Sequence, residues 1–142
     1  MTLASETVRA LLAAKIQSLG YPVKQFRDED DAITTAEMPC VLLQQSGVVE
    51  IQYLEGTAGG IALHNAPFLM SFVATTRDAA AAMLRATANA LAADYNLGGQ
   101  VGEILPLSYG DEEPDGRDYR AILFEIAVRF YTDPADIGTL AT

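Results

Sequence analysis

Cysteine and histidine each occur once in this chain of 142 residues, as Cys40 and His64, and tryptophan is missing altogether. A single thiol rules out an intrachain disulfide and any zinc site built from several thiolates. A single imidazole confines any nucleophile–histidine relay to what can be built around His64. Cations are scarce as well: nine Lys and Arg face nineteen Asp and Glu, for a formal net charge of −10 and a pI near 4.3. Phosphate-neutralising nucleic-acid binding needs clustered Lys and Arg, so this balance argues against it. Apolar runs fall far short of a membrane span, and the first residues lack a charged stretch followed by an apolar core and cleavage site. The expectation is a soluble protein with no membrane partner, assembled in the cytoplasm.

What is present points to an ordered globule. Half of the residues are hydrophobic and 20% are charged, and 142 residues suffice for one domain spanning 1–142. Over SETVRALLAAKIQSLG the residues Val8, Leu11, Leu12, Ile16 and Leu19 recur at helical spacing, with Ser5 as the expected cap and Gly20 as the stop. CVLLQQSGVVEIQYLEG holds two short β runs about Gly47, which predicts one interrupted strand or a hairpin. GTAGGIALHNA reads as a flexible connection, and PFLMSFVATT as a central strand apolar on both faces. A second helix follows over RDAAAAMLRATANALAADY, with Asp78 placed to cap it and NLGG as the break after it.

QVGEILPLSY and YRAILFEIAVRFYT then read as a hairpin joined by the acidic DEEPDGRD. In the last of these, Ile122, Phe124, Ile126, Val128 and Phe130 alternate with a mixed set that includes Glu125, Arg129 and Tyr131. Fourteen extended residues reach roughly 48 Å at about 3.4 Å each, against the 17–20 Å of an ordinary strand. Such a strand either bends or serves something outside its own subunit. The predicted fold is α+β: an antiparallel sheet with two helices packed on one face, in the order α-β-β-β-α-β-β.

No named chemistry emerges. His64 lies in a glycine-flanked loop with no motif beside it and reads as a surface or interface residue. Cys40, at the start of a strand, reads as a buried inert thiol. Asp111, Glu113, Asp115 and Gly116 match the first half of a calcium loop, but the twelfth position is Ile122 rather than a bidentate Glu. GTAGG lacks the Lys-Ser/Thr ending of a phosphate loop. No catalytic residue, metal or cofactor is expected.

The helix VRALLAAKIQSLG, the strand MPCVLLQQSG, PFLMSFVATT running into AAAMLRATANALAADY, and the ending ILPLSYGDEEPDGRDYRAILFEIAVRFYTD together resemble the tail terminator proteins of long-tailed bacteriophages and phage-like particles. The resemblance lies in element order and texture over nearly the whole chain. It implies a virion protein at the tail–neck junction: a hexameric ring that caps the tail tube, ends its growth, and joins it to a neck or head-completion protein. DNA would pass through the central hole without specific binding, repelled by about −60 of formal charge, six times −10. The subunit-interface candidates are Tyr53, Ile61, Leu63, His64, Phe68, Arg129 and Tyr131. The channel or surface candidates are the acids Asp28, Glu29, Asp30, Asp31, Asp111, Glu112, Glu113 and Asp115. Two other readings stay open, another neck or head-completion ring protein and a small-ligand-binding regulatory oligomer. The latter would want a pocket between helices and sheet lined by convergent polar groups, where the sequence offers mainly Ala, Leu, Ile and Phe.

Overall fold

A computed structural model describes residues 3–24, 33–54, 61–112, 119–133 and 136–140. The elements run α1 (Ala4–Ser18), β1 (Val23–Lys24), a 3-10 turn (Thr35–Glu37), β2 (Cys40–Gln45), β3 (Glu50–Leu54), β4 (Ile61–Ala74), α2 (Arg77–Ala93), β5 (Glu103–Asp111), β6 (Arg120–Asp133) and β7 (Asp136–Leu140). The two longest strands, β4 and β6, pair antiparallel without a break from Ala62↔Thr132 to Ala74↔Arg120. The sheet path is β1-β2-β4-β6-β5, with β3 also on β4 and β7 also on β6.

Both helices lie on one face. Val8, Leu12 and Ile16 of α1 and Ala80, Met83 and Leu91 of α2 share a core with the even-numbered residues of the long strands, among them Phe68, Met70, Phe72, Phe124, Ile126 and Phe130. Period two on the strands and the 3–4 spacing on the helices therefore meet in one apolar layer. Side chains such as Phe68, Phe72, Phe130 and Met70 are fully buried, and each contributes about 1.5–3 kcal/mol. The helices also meet at their ends. Asp94 accepts from the Gly98 N–H at 2.8 Å and from Lys15 Nζ at 3.2 Å, which together hold its carboxyl below the usual carboxylate range.

β2 and β3 form the interrupted strand, one of the two arrangements expected about Gly47. Both pair antiparallel with β4, in line along the same edge. Between Gln45↔Phe68 and Glu50↔Asn65, the four residues 46–49 stand opposite only Ala66 and Pro67. This bulge explains how a proline sits inside a central strand, where a missing N–H would normally cost a ladder bond. The Pro67 carbonyl accepts from the Ser46 N–H at 3.0 Å, so the polar backbone of Pro67 faces the bulged side. The absent donor falls where the ladder is already interrupted.

Several expectations need correction. Among the described residues the sheet has seven strands rather than five, and it is mixed: β1 runs parallel to β2. β1 is two residues long, secured beside the Val41 N–H that donates to the Pro22 carbonyl at 2.8 Å, and is too short to carry a period. β7 is a further unforeseen strand, with the Gly138 N–H donating to Asp136 Oδ1 at 3.0 Å. Residues 61–65, expected to be a flexible connection, are the start of β4, held between β3 and β6. β6 does not reach out of its subunit. It pairs along its length with β4, while β5 and β7 share its other edge.

The caps differ too. Leu3 caps α1, its N–H donating to Glu6 Oε2 at 2.7 Å, and Ser5 is buried inside the helix. Thr76, not Asp78, caps α2, its Oγ1 accepting from the Ala79 N–H at 3.2 Å. Gly20 has φ +94, as the expected stop requires, and NLGG turns through left-handed Leu97, Gly98 and Gly99. Thr76→Ala is expected to lower stability by about 1 kcal/mol, read as a shift in the urea midpoint at unchanged slope.

Candidate functional site

Among the described residues, the face of the sheet turned away from the helices is covered only at one end. There Ile33, Cys40, Leu42, Val73 and Ala121 form a second small cluster, with Met38 and Tyr119 against it. Cys40 is fully buried, as expected of an inert thiol. Further along, the odd-numbered residues of β4 and β6 continue as Leu63, Asn65, Pro67 and Leu69 beside Leu123, Glu125, Arg129 and Tyr131. Leu63, Leu69 and Leu123 are half-buried, and Tyr131 is exposed.

Three interface candidates converge on this open face. Leu63 stands directly opposite Tyr131, and Arg129 opposite Asn65. Arg129 is also opposite Glu103 of β5, and its guanidinium donates to Glu103 Oε1 at 2.9 Å. Half-exposed on both sides, that pair is worth about 0–1 kcal/mol and serves to orient Arg129 more than to stabilise the fold. Ile61 precedes Leu63 on the same face, half-buried. A hollow of about 350 Å³ is lined here by Glu50, Ile51, Gln52, Leu63, Asn65 and Arg129.

Tyr53 belongs elsewhere. It lies opposite Ala62 on β3, hence toward the helix side of the sheet, and is largely exposed.

The other two interface candidates are not available for contact. Phe68 is fully buried beneath the helices. His64 is buried as well, its ring stacked on Phe130 at 4.9 Å between centroids and its Nε2 sharing a 2.8 Å hydrogen bond with Thr132 Oγ1. Both occupy even positions of β4, so the pleat turns them inward. His64 is a core aromatic with one satisfied polar contact, and burial pushes its pKa below the ordinary value.

Of the acidic candidates, Asp111 accepts from Arg77 Nε at 2.9 Å, and the Glu112 N–H donates to the Ala121 carbonyl at 3.0 Å. Asp28, Glu29, Asp30, Asp31, Glu113 and Asp115 lie outside the described residues. Among the described residues no group of three or more His, Cys, Asp or Glu side chains converges as a metal site would require. An apolar hollow of about 160 Å³ lies between α2 and the sheet, lined by Ala88, Leu91, Ala92, Ile104, Pro106, Phe124 and Ile126. The small alanines of α2 leave that space. Leu69, Glu103 and Leu123 join the open face without having been singled out in the sequence; the odd-position alternation of the long strands was the signal for Leu69 and Leu123.

Fold and surface define a two-layer α+β protein, helices on one side and a half-open sheet on the other. No family model and no curated protein matches the chain. Among solved structures, a chain of the "Virion of native gene transfer agent (GTA) particle" is similar in fold, with 19% identity over 87% of this chain and 86% of that one, at a TM-score of 0.46.

The buried imidazole has a pH consequence. Above its ordinary pKa of 6.5 both the folded and unfolded chains hold His64 neutral. Below that value the unfolded chain takes the proton first, so stability falls with falling pH, by at most about 1.4 kcal/mol per pH unit. His64→Gln is expected to be less stable at pH 7.5 yet to lose less between pH 6.5 and 5.5 than the parent. Urea denaturation at those three pH values measures both effects.

Proposed function

We propose that this chain is a structural protein of a phage or phage-like particle. In the finer reading it is a tail terminator: a ring, hexameric by the family resemblance, that ends the tail tube and joins it to a neck or head-completion protein. The observation that carries the proposal is the unfinished sheet. A layer with Leu63, Leu69, Leu123 and Tyr131 on a face that no other element covers among the described residues, and with outer edges unpaired among them, is a liability in a lone subunit and a contact surface in an assembly. Closed rotational assembly consumes such surfaces without leaving any over. The acidic balance supports the same role, since a ring that carries DNA through its hole works by repelling phosphate and not by holding it. In this reading the protein is structural rather than enzymatic.

A small-ligand regulator is the less favoured reading. That reading wants its pocket between helices and sheet, where the apolar hollow under α2, at about 160 Å³, falls short of the roughly 300–1,000 Å³ of ordinary ligand pockets and is lined by apolar side chains; the polar hollow of about 350 Å³ lies on the open face instead.

Electron micrographs of the purified protein, alone and mixed with tail tubes, test the assignment. Rings bound at tube ends are expected; discrete dimers that ignore the tubes contradict it. Leu63→Asp is expected to abolish rings while leaving helix content intact. Phe68→Asp, by contrast, puts an unpaired charge in the core and is expected to cost more than about 3 kcal/mol, so that the fold itself is lost. Circular dichroism and sedimentation separate the two outcomes.

A further inference from the structure

We infer that the outer edge of β3 pairs with residues 107–111 of β5 in a neighbouring copy, continuing the sheet from one subunit to the next. The inference rests on the ring reading and says which edges build the ring. Among the described residues β3 pairs only with β4, and β5 only with β6. No described strand lies beside their outer backbone groups.

The two edges are prepared differently. Because the Pro67 carbonyl faces the β2–β3 side, every odd residue of β4 does so. Glu50, Gln52 and Leu54, opposite those odd residues, bond inward, and Ile51 and Tyr53 turn their N–H and C=O outward. This edge carries no proline and no lysine, the usual devices that discourage strand addition. On β5 the first half is blocked. Pro106 stands opposite Ile126, an even residue of β6 whose backbone faces β4, so Pro106 points its missing donor at the open edge. A bulge between Pro106 and Ser108 then resets the strand. What remains is 107–111, five residues, the same length as β3.

Direction, side chains and facing agree. Across β3-β4-β6-β5 each neighbour is antiparallel, so with four strands the two outer ones run oppositely. A following copy placed by rotation about a ring axis presents its β3 antiparallel to β5, and the alternation continues unbroken. Each edge offers two exposed apolar side chains two residues apart: Ile51 (41%) and Tyr53 (61%) on one, Leu107 (54%) and Tyr109 (75%) on the other. Tyr109 lies opposite Phe124, and Ile51 and Tyr53 lie opposite His64 and Ala62, so these three point to the helix side and meet on one face when the edges join. The occupant of each edge is thus a second copy of this chain, in head-to-tail order.

Proline at position 53 removes an outward donor without touching the β3–β4 ladder. Tyr53→Pro is expected to keep its far-UV spectrum yet to need at least roughly tenfold more protein for half-assembly than Tyr53→Thr, which keeps the donor. Equal assembly of the two variants overturns the pairing. Cross-linking tests the same contact without proline. Within one chain positions 53 and 109 are three strand spacings apart, at least roughly 14 Å, too far for a disulfide. Tyr109→Cys combined with Ile51→Cys or Tyr53→Cys is expected to give an oxidised ladder ending in a closed ring, and each single variant none. Rings without a ladder overturn the β3–β5 pairing and leave the ring reading standing. Dimers from Tyr53→Cys alone overturn it in favour of a two-fold contact. No oligomer of the parent protein, free or on tube ends, overturns the ring reading and the pairing together.

Discussion

The antiparallel ladder between β4 and β6 is the constraint from which the rest of the molecule follows. Two strands of fourteen residues, paired over thirteen positions, fix which side chains face the helices and which do not. The even-numbered face takes the four phenylalanines Phe68, Phe72, Phe124 and Phe130 and closes under α1 and α2. Once that face is fixed, a one-residue slip of either strand would turn its whole apolar set outward, so the register is strongly held. Proline in such a ladder is tolerable only because residues 46–49 bulge at the point where its donor is missing. The same parity leaves Leu63 and Tyr131 on the side turned away from α1 and α2.

Strength and incompleteness are therefore two results of one arrangement. The core side of the sheet is complete inside a single chain, and both of its longest strands have neighbours on either edge. Among the described residues no element covers the far end of the opposite face or the outer edges of β3 and β5. A net charge of −10 opposes casual association between copies, so contacts must be concentrated where apolar side chains and backbone donors outweigh repulsion. The exposed apolar pairs on β3 and β5 meet that requirement. Known ion pairs such as Arg77–Asp111 and Arg129–Glu103 are internal to the chain and do not compete for those edges.

Long periodic segments were legible in the sequence. Both helices, the second half of β4, and β6 follow from apolar spacing alone, because each buries one face against a continuous layer. The first half of β4 was not. Ile61, Ala62, His64 and Asn65 have the composition of a loop, and they extend only because β3 and β6 flank them. His64 and Phe68 were misplaced for a related reason: whether a residue on a two-sided apolar strand faces the core depends on which face the helices take. The caps failed at the level of single hydrogen bonds, where Thr76 and the Glu6 carboxylate occupied roles that spacing gave to Asp78 and Ser5. Leu63, Arg129 and Tyr131 were selected from separate segments, and only the pairing of β4 with β6 brings them into one patch.

Amide hydrogen exchange, followed in dilute monomer and again in the assembled state, tests the central claim most directly. The account predicts slow exchange along β4 and β6 in both states. It also predicts that the Ile51 and Tyr53 amides exchange fast in the monomer and become protected on assembly. Protection of those two amides already in the monomer, or fast exchange through β6 until copies associate, would contradict it.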